Sequence, residues 1–382
     1  MPMMKNFLKD GTDLNANFPK ELMNELKNVN GSLTFNDNNY GWFNSELLKC
    51  ALDNLCAKYN VDIFFESIVT NAEYDNGKIT SCKIQYCGQK IKIEGKYFVD
   101  ATGNGDLANI CKVDFENGDN GINQAMTLRF IAEGVDVKRF AEFLRSIDDN
   151  EEISPICEID GQIHLSTACT WDNDIWKLKP YFEKAVQDGV LKEEDCAYFQ
   201  IFTIPNQPNA ITFNAPRIFA EKSLNPLDVK DISYALIQGR KQLQRLMNFA
   251  KKYLIGFENA YISQIAPTLG IRDSRRIKCE YELSEEDILS AKKFENSVAK
   301  SNYPIDVHSC EKNKSILNKL TENDYFEIPL ECLKVKNFDN FFVAGKIISS
   351  TFLAQAALRI IPNCLSMGEN LAEYIAKQVK KV

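Results

Sequence analysis

Two early stretches of the chain carry apolar residues at helical spacing. Leu22, Met23 and Leu26 mark a short helix within 18–26, and Leu47, Leu48, Ala51, Leu52 and Leu55 form one apolar face of a second. Ser45 is placed to cap that second helix. The period then shortens to that of strands. VDIFF (61–65), SIVTNAEY (67–74) up to a DNG turn at 75–77, KITSCKIQY (78–86) and IKIEGKYFV (91–99) all predict extended structure. A helix, a meander and a buried strand reading YFV together predict an α/β layer with a small inserted sheet.

The pattern changes between Met126 and Pro216. MTLRFIAE, GQIHLSTA, FQIFTI and AITFNAPRI predict antiparallel strands separated by helices and loops. A long helix is predicted after Asn225-Pro226-Leu227-Asp228, with Ile232, Ala235, Leu236, Leu243, Leu246, Met247 and Ala250 on its apolar side. Towards the C-terminus the α/β pattern resumes. DNFFVAG (339–345) repeats the logic of YFVDATG (97–103), an aromatic-apolar run that ends in small residues and a glycine. Pro362 opens a last helix whose face carries Leu365, Gly368, Leu371, Ala372, Ile375 and Val379. Lys377, Lys380 and Lys381 suit the negative end of its dipole. The middle therefore reads as a second domain inserted into the first.

Composition narrows the choices. The 382 residues are 45% hydrophobic and 26% charged, ample for a sizeable core. A net charge of -8 and scattered lysines argue against a nucleic-acid surface. No apolar run reaches the roughly 18–20 residues of a membrane span. The first residues, MPMMKNFLKDGTDL, lack the basic start and apolar core of a secretion signal, so the expected location is cytoplasmic. Twelve cysteines show no C-x-x-C pair and no zinc spacing, which reads as buried reduced thiols and no metal site. With only His164 and His308, histidine triads have little material.

The stretch YFVDATGNGDLANI (97–110) matches G-x-G-x-x-A at Gly103, Gly105 and Ala108. A dinucleotide cradle needs a second strand with an acidic residue about 20 positions on. Here the helix can run only from about Leu107 to Val113, and ENGDNGIN follows with no strand, leaving Glu116 and Asp119 in a turn. This is the only G-x-G among the 18 glycines, so the chain shows no standard pyrophosphate cradle. P-loop, H-E-x-x-H and G-x-S-x-G patterns are also missing.

Three separated segments share a resemblance. YFVDATGNGDLANI resembles the second flavin-contact motif of the FAD-dependent oxidoreductase family, related to fumarate reductase-like and glycine oxidase-like flavoproteins. The run APTLGIRDSRRIKCEYELSEEDILSAKKFENSVAKSNYPIDVHS, from Ala266, is similar to that family's G-I-R-x-x-R-R segment and its downstream D-x-H. VAGKIISSTFLAQAALRIIPNCLSMGENLA, from Val343, is similar to its C-terminal A-G-R … R-x-x-P-x-x-x-x-M-G segment. The resemblance implies a truncated Rossmann-like FAD-binding domain formed from both chain ends, residues 1–125 and 325–382. It also implies an inserted α+β substrate or cap domain over 126–324.

FAD is the implied cofactor, and hydride transfer between flavin and a small organic substrate the implied chemistry. Val69, Ala101, Thr102, Gly103, Gly105, Asp106, Gly345, Pro362 and Asn363 are the implied cofactor contacts. A helix opening at Pro362 would aim its amides at the flavin pyrimidine edge. The family's own first strand, G-x-G-x-x-G turn and ribose-binding acid have no counterpart here, since MPMMKNFLKDGT aligns just downstream of them. Tight retention of FAD by this chain alone is therefore not expected. Phe352-Leu353 replace a common His-Glu, Lys346 replaces Arg, and Asn370-Leu371 replace small residues. Two readings follow. One is an oxidoreductase that needs the missing segment or a separate chain bearing it; the other is a non-catalytic remnant that keeps a binding role.

Arg272, Arg275, His308 and Arg359 are the candidate catalytic residues. An arginine over a flavin can clamp a carboxylate, or it can belong to a salt-bridged face with Asp273, Glu280 and Glu282. His308 is either an acid-base partner of Asp306 or a histidine bonded to local backbone. Arg359 contacts flavin or a substrate anion, or makes a structural ion pair. Asp106 reads more readily as the cap of the short helix, and His164 as a strand residue.

Overall fold

A computed structural model describes residues 6–15, 17–33, 42–147, 153–159, 161–170, 175–308, 315–318, 320 and 323–380. Its largest sheet has six strands, in the order Ile156–Ile159, Gln162–Thr170, Tyr198–Ile204, Gln207–Phe213, Phe130–Glu133 and Tyr261–Ile265. Every pairing in it is antiparallel. The two-residue period of these strands sorts their side chains to opposite faces. Phe130, Ala132, Phe199, Ile201, Ile211 and Phe213 are buried on one face, with Phe130 and Phe213 stacked 4.3 Å apart. That face packs against the helices Val137–Ile147, Lys179–Gln187 and Val229–Tyr253. The last of these begins where the sequence predicts, with Asp228 accepting from the amide of Lys230 at 2.7 Å.

A second core joins residues 72–111 to 277–371. At its centre the strands Phe98–Asp100 and Phe341–Val343 run parallel, Phe98 opposite Phe341 and Asp100 opposite Val343. The YFV and FFV runs thus do lie side by side. Ile277, Leu283, Ile288, Val298, Ile305 and Val307 pack into this core and not into the sheet's core. The packing accordingly changes partner near residue 270. A small third cluster joins Leu22 and Leu26 to Ala51 and Leu55, the two helices read from the first apolar pattern.

Several local expectations are corrected. The helix Ser45–Lys58 is capped by Asn44, whose Oδ1 accepts from Glu46 at 2.9 Å and Leu47 at 3.4 Å, while Ser45 is its first residue. VDIFF is not a strand: among the described residues no strand pairs with it. IKIEGKYFV divides into Gln89–Glu94, the edge of an antiparallel meander with Ile68–Asp75 and Lys78–Tyr86, and the parallel strand Phe98–Asp100. Glu116 lies on the short strand Phe115–Asn117, which pairs with Arg275–Ile277, and not in a turn. No helix among the described residues is long and apolar enough to cross a membrane.

Candidate active site

The turn after Phe98–Asp100 is built by its own polar residues. Asp100, 1% exposed, accepts from Thr102 N through Oδ1 and from Ala108 N through Oδ2, both at 2.9 Å. Thr102 Oγ1 accepts from Asp106 N at 2.9 Å. Asp100 and Thr102 therefore secure the start of the helix Asp106–Ile110, the task expected of Asp106. The Asp106 side chain instead meets Arg275 at 3.4 Å, and burial raises its carboxyl pKa against the pull of that arginine. Gly103 and Gly105 have φ of 79° and 70°, where glycine is favoured. A Cβ on Gly105 would also lie 2.8 Å from Ile277 Cδ1, so the glycine permits close approach of the Arg275–Ile277 strand.

Residues 272–276 hold this turn to the rest of the molecule. Ser274 Oγ donates to Gly103 O at 2.9 Å, and Arg275 Nη1 donates to Asn104 O at 2.8 Å. Arg276 turns the other way, donating to Ser350 O, Gly118 O and Glu116 at 2.9–3.2 Å. Asp273 accepts from Gln124 N and Asn123 Nδ2. Arg275 and Arg276 are thus salt-bridged, though with Asp106 and Glu116 and not with the acids nearest in sequence.

Gly345 follows the partner strand, with φ 83° and open space where a Cβ would stand. Ala344 N donates to Asp100 O at 3.0 Å, so both glycine turns leave the carboxyl ends of one pair of parallel strands. Ligands of parallel sheets bind at such ends. Lys346 reaches across: its Cε lies 3.7 Å from the position of a Gly103 Cβ, and its Nζ is 3.3 Å from Ser274 Oγ. Burial pushes its pKa down to about 8 against the pull of Asp273, and Arg359 adds to the lowering. Ala101 and Thr102 are exposed beside the turn, and Val69 packs half-buried on the second core.

Arg272 points away from the glycines, into a group of cations. Its Nη1 donates to Ala125 O at 2.7 Å, and it forms no ion pair with any described carboxylate. Burial first, then Arg359 and Arg217, disfavour its charge. Arg129 belongs to the same group, with its Nε on Asn214 Oδ1 at 2.9 Å. Arg217 Nη2 contacts His308 Nδ1 at 2.6 Å, and its guanidinium sits 4.7 Å from the centre of the Tyr198 ring. Because an arginine only donates, His308 Nδ1 must accept, which assigns the ring proton to Nε2. Nε2 then donates to Asp306 Oδ2 at 3.0 Å.

Burial, followed by the charge of Arg272, lowers the His308 pKa despite Asp306, so the imidazole is neutral. Asp306 also accepts from the Tyr303 hydroxyl at 3.1 Å, and its backbone carbonyl takes Arg359 Nη2 at 3.2 Å. Burial would raise this carboxyl, but the His308 hydrogen bond and the charges around it hold it below the usual range. Gln355 couples the two halves of the site, donating to Arg272 O at 2.6 Å and receiving Gln124 Nε2 at 3.2 Å.

Arg272, His308 and Arg359 therefore meet in one cluster, while Arg275 joins Gly103, Gly105 and Asp106 at the turn. Pro362 and Asn363 lie buried at the start of the helix Ile361–Val379, which packs against the Gly345–Ile347 turn. Asn363 Nδ2 donates to Ser301, Ala357 and Leu358, and its Oδ1 accepts from Asn6 at 3.2 Å, so its amide is spent on protein. The expectations from sequence did not include Arg129, Arg217 and Tyr198. Each was visible as a polar residue set in an apolar strand run, in MTLRFIAE, AITFNAPRI and YFQIFTI. No group of His, Cys, Asp and Glu among the described residues could hold a metal ion.

Comparison with known families decides the class. A model described as FAD dependent oxidoreductase matches residues 1–381. The chain belongs to that family. No curated protein matches it. Solved structures resemble it distantly. The flavin-dependent monooxygenase PieE, solved with FAD and substrate, is 9% identical over 63% of this chain and 32% of its own (TM-score 0.34). The p-nitrophenol 4-monooxygenase PnpA from Pseudomonas putida DLL-E4 is 8% identical over 94% of this chain and 59% of its own (TM-score 0.44). The flavin-dependent brominase Bmp2 is 12% identical, over 98% and 69% (TM-score 0.43). This chain thus spans about a third of PieE and three fifths of PnpA.

FAD is the cofactor of the family, and the chain's residues fit one part of it. Two glycine turns at the ends of paired parallel strands, one of them facing open space, offer backbone that a flat ring can approach.

Proposed function

We propose that this chain carries the flavin-ring and substrate part of an FAD-dependent oxidoreductase, and that the dinucleotide cradle is supplied from outside these 382 residues. The cradle would come from the same polypeptide upstream or from a separate chain. The observation that carries the reading is the pair of glycine turns at the ends of Phe98–Asp100 and Phe341–Val343, tied through residues 272–276 to the arginine cluster.

The open side of that strand pair supports it. Phe98 N and Asp100 O bond toward Asn340 and Ala344, so strand alternation leaves the N–H and C=O of Val99 on the opposite edge. Among the described residues nothing pairs there. Val99 is exposed, as are Val61, Ile63, Phe64, Phe65 and Ile68, the last five between 43% and 69%. Apolar exposure of this extent marks a surface that another element covers. A βαβ unit would offer a strand to the Val99 edge and cover for the exposed apolar side chains of VDIFF.

Bound FAD supplies the two-electron acceptance that a hydride transfer requires. The chain's own residues have separate tasks. Lys346 holds a cation beside both glycine turns, where it balances negative charge on the cofactor. The arginine cluster orients a substrate, and His308 fixes Arg217 within it instead of moving a proton. The described cysteines are all free thiols, as a reducing cytoplasm would keep them.

Purification decides between the readings. The chain alone should be colourless, and co-expression with a strand–GxGxxG–helix–strand segment should yield a yellow, reducible complex. Near-stoichiometric flavin on the chain alone would sink the external cradle. No flavin in any combination would favour a non-catalytic remnant.

A further inference from the structure

A cavity of about 520 Å³ opens on the face of the six-stranded sheet opposite its core. Phe43, Ile131, Phe202, Ile204, Ile265 and Pro267 make its walls apolar. The pairing explains the alignment, since Ile131 faces Thr212 and Thr212 faces Phe202 across neighbouring strands. Arg129 lines the same cavity, two residues before Ile131 on the same side of its strand. Glu46 and Lys49 also line it, but they pair with each other at 2.7 Å and cancel.

Beyond Arg129 stand Arg217, Arg272 and Arg359, the cations whose charges act on one another. The charged groups that face them are Asp306, already engaged by His308 and Tyr303, and Lys346, another cation. Arg359 Nε is buried and makes no hydrogen bond. Arginines gathered around Asp306, whose carboxylate is already engaged, repel one another, and an anion among them would reverse that cost. The guanidinium fork matches the two oxygens of a carboxylate.

We infer that this cavity binds an amphipathic organic carboxylate, its head at Arg129, backed by the charge of Arg272, and its apolar body along Phe202, Ile131 and Phe43. That this acid is the substrate of the oxidoreductase rests on the function proposed above; the binding itself does not need flavin.

Calorimetric titration of the whole chain with 4-phenylbutyrate, 4-phenylbutyramide and inorganic phosphate tests it. The acid should bind at least tenfold more tightly than its amide and than phosphate. Arg129→Gln and Arg272→Gln should each weaken the acid by at least tenfold and leave the amide unchanged. Arg139→Gln, on an exposed arginine paired with Glu258, should leave both unchanged. If the more deeply set Arg272→Gln fails to fold, the exposed Arg129→Gln carries the result. Equal affinity for acid and amide, unchanged affinity in Arg129→Gln, phosphate binding as tight as the acid, or no binding of the acid overturns the inference. A chain that binds the acid but never flavin refutes only the oxidoreductase reading; one that binds flavin but not the acid refutes only this one.

Discussion

The two cores of this chain solve the same problem in opposite ways. The six-stranded sheet buries one face under three helices and keeps the other for a cavity, with its phenylalanines almost fully enclosed. The parallel strand pair buries Phe98, Phe341 and Phe342 but among the described residues stops at two strands, with Val99 on its open edge and five apolar side chains exposed along 61–68. Sheets in folded proteins rarely leave an edge bare, because it templates pairing with another chain. One region encloses its apolar side chains, and the other leaves apolar surface exposed where the proposed cradle would sit.

Substitutions should tell the two apart. The largest effect on stability belongs to the closed region: Phe213→Ala, which removes a fully buried ring stacked on Phe130, should cost about 3–5 kcal/mol in urea unfolding. A loss below about 1 kcal/mol would mean that this core is looser than its packing. Asp100→Ala should come next, at about 1–3 kcal/mol, since the amides of Thr102 and Ala108 lose a buried acceptor. Its loss of flavin in the completed complex should exceed that of Thr102→Ala.

Phe65→Ser is the sharpest contrast. In the isolated chain it should change stability by no more than about 0.5 kcal/mol, as exposed sites do, yet weaken assembly with the cradle segment. Substantial destabilisation of the isolated chain would show that the ring already has a partner. The smallest effect is a pH dependence. Lys346 is charged below about 8 and loses its proton above it, far sooner than an ordinary lysine at 10.5. Its folded pKa is depressed, so the unfolded chain binds the extra proton between about 8 and 10.5, and this group makes stability rise with pH in that window. Any step that needs the Lys346 cation should fall through about pH 8, and Lys346→Arg should move that limb upward.

Much of this was legible in the residues. The paired YFV and FFV strands, the long helix after Asp228 and the sheet strands of the middle region all follow from spacing and turn residues. What escaped was long-range. VDIFF has strand composition, but a strand needs a neighbour, and composition cannot supply one. The packing of 277–307 was hidden because its partners lie far away in sequence. Arg272, Arg275 and Arg276 looked like one cationic patch. Their different fates come from a strand's alternation and from partners at Ala125, Asp106 and Glu116, none of which the local pattern reveals. The partners of Asn363, Asn6 and Ser301, are likewise distant in sequence.

Hydrogen exchange on the chain, with and without FAD and a strand–GxGxxG–helix–strand segment, tests the central claim most directly. The account predicts new protection at the Val99 amide and across 61–68 when both are added, and none in the six-stranded sheet. Flavin binding that leaves Val99 and 61–68 exchanging as before would contradict it.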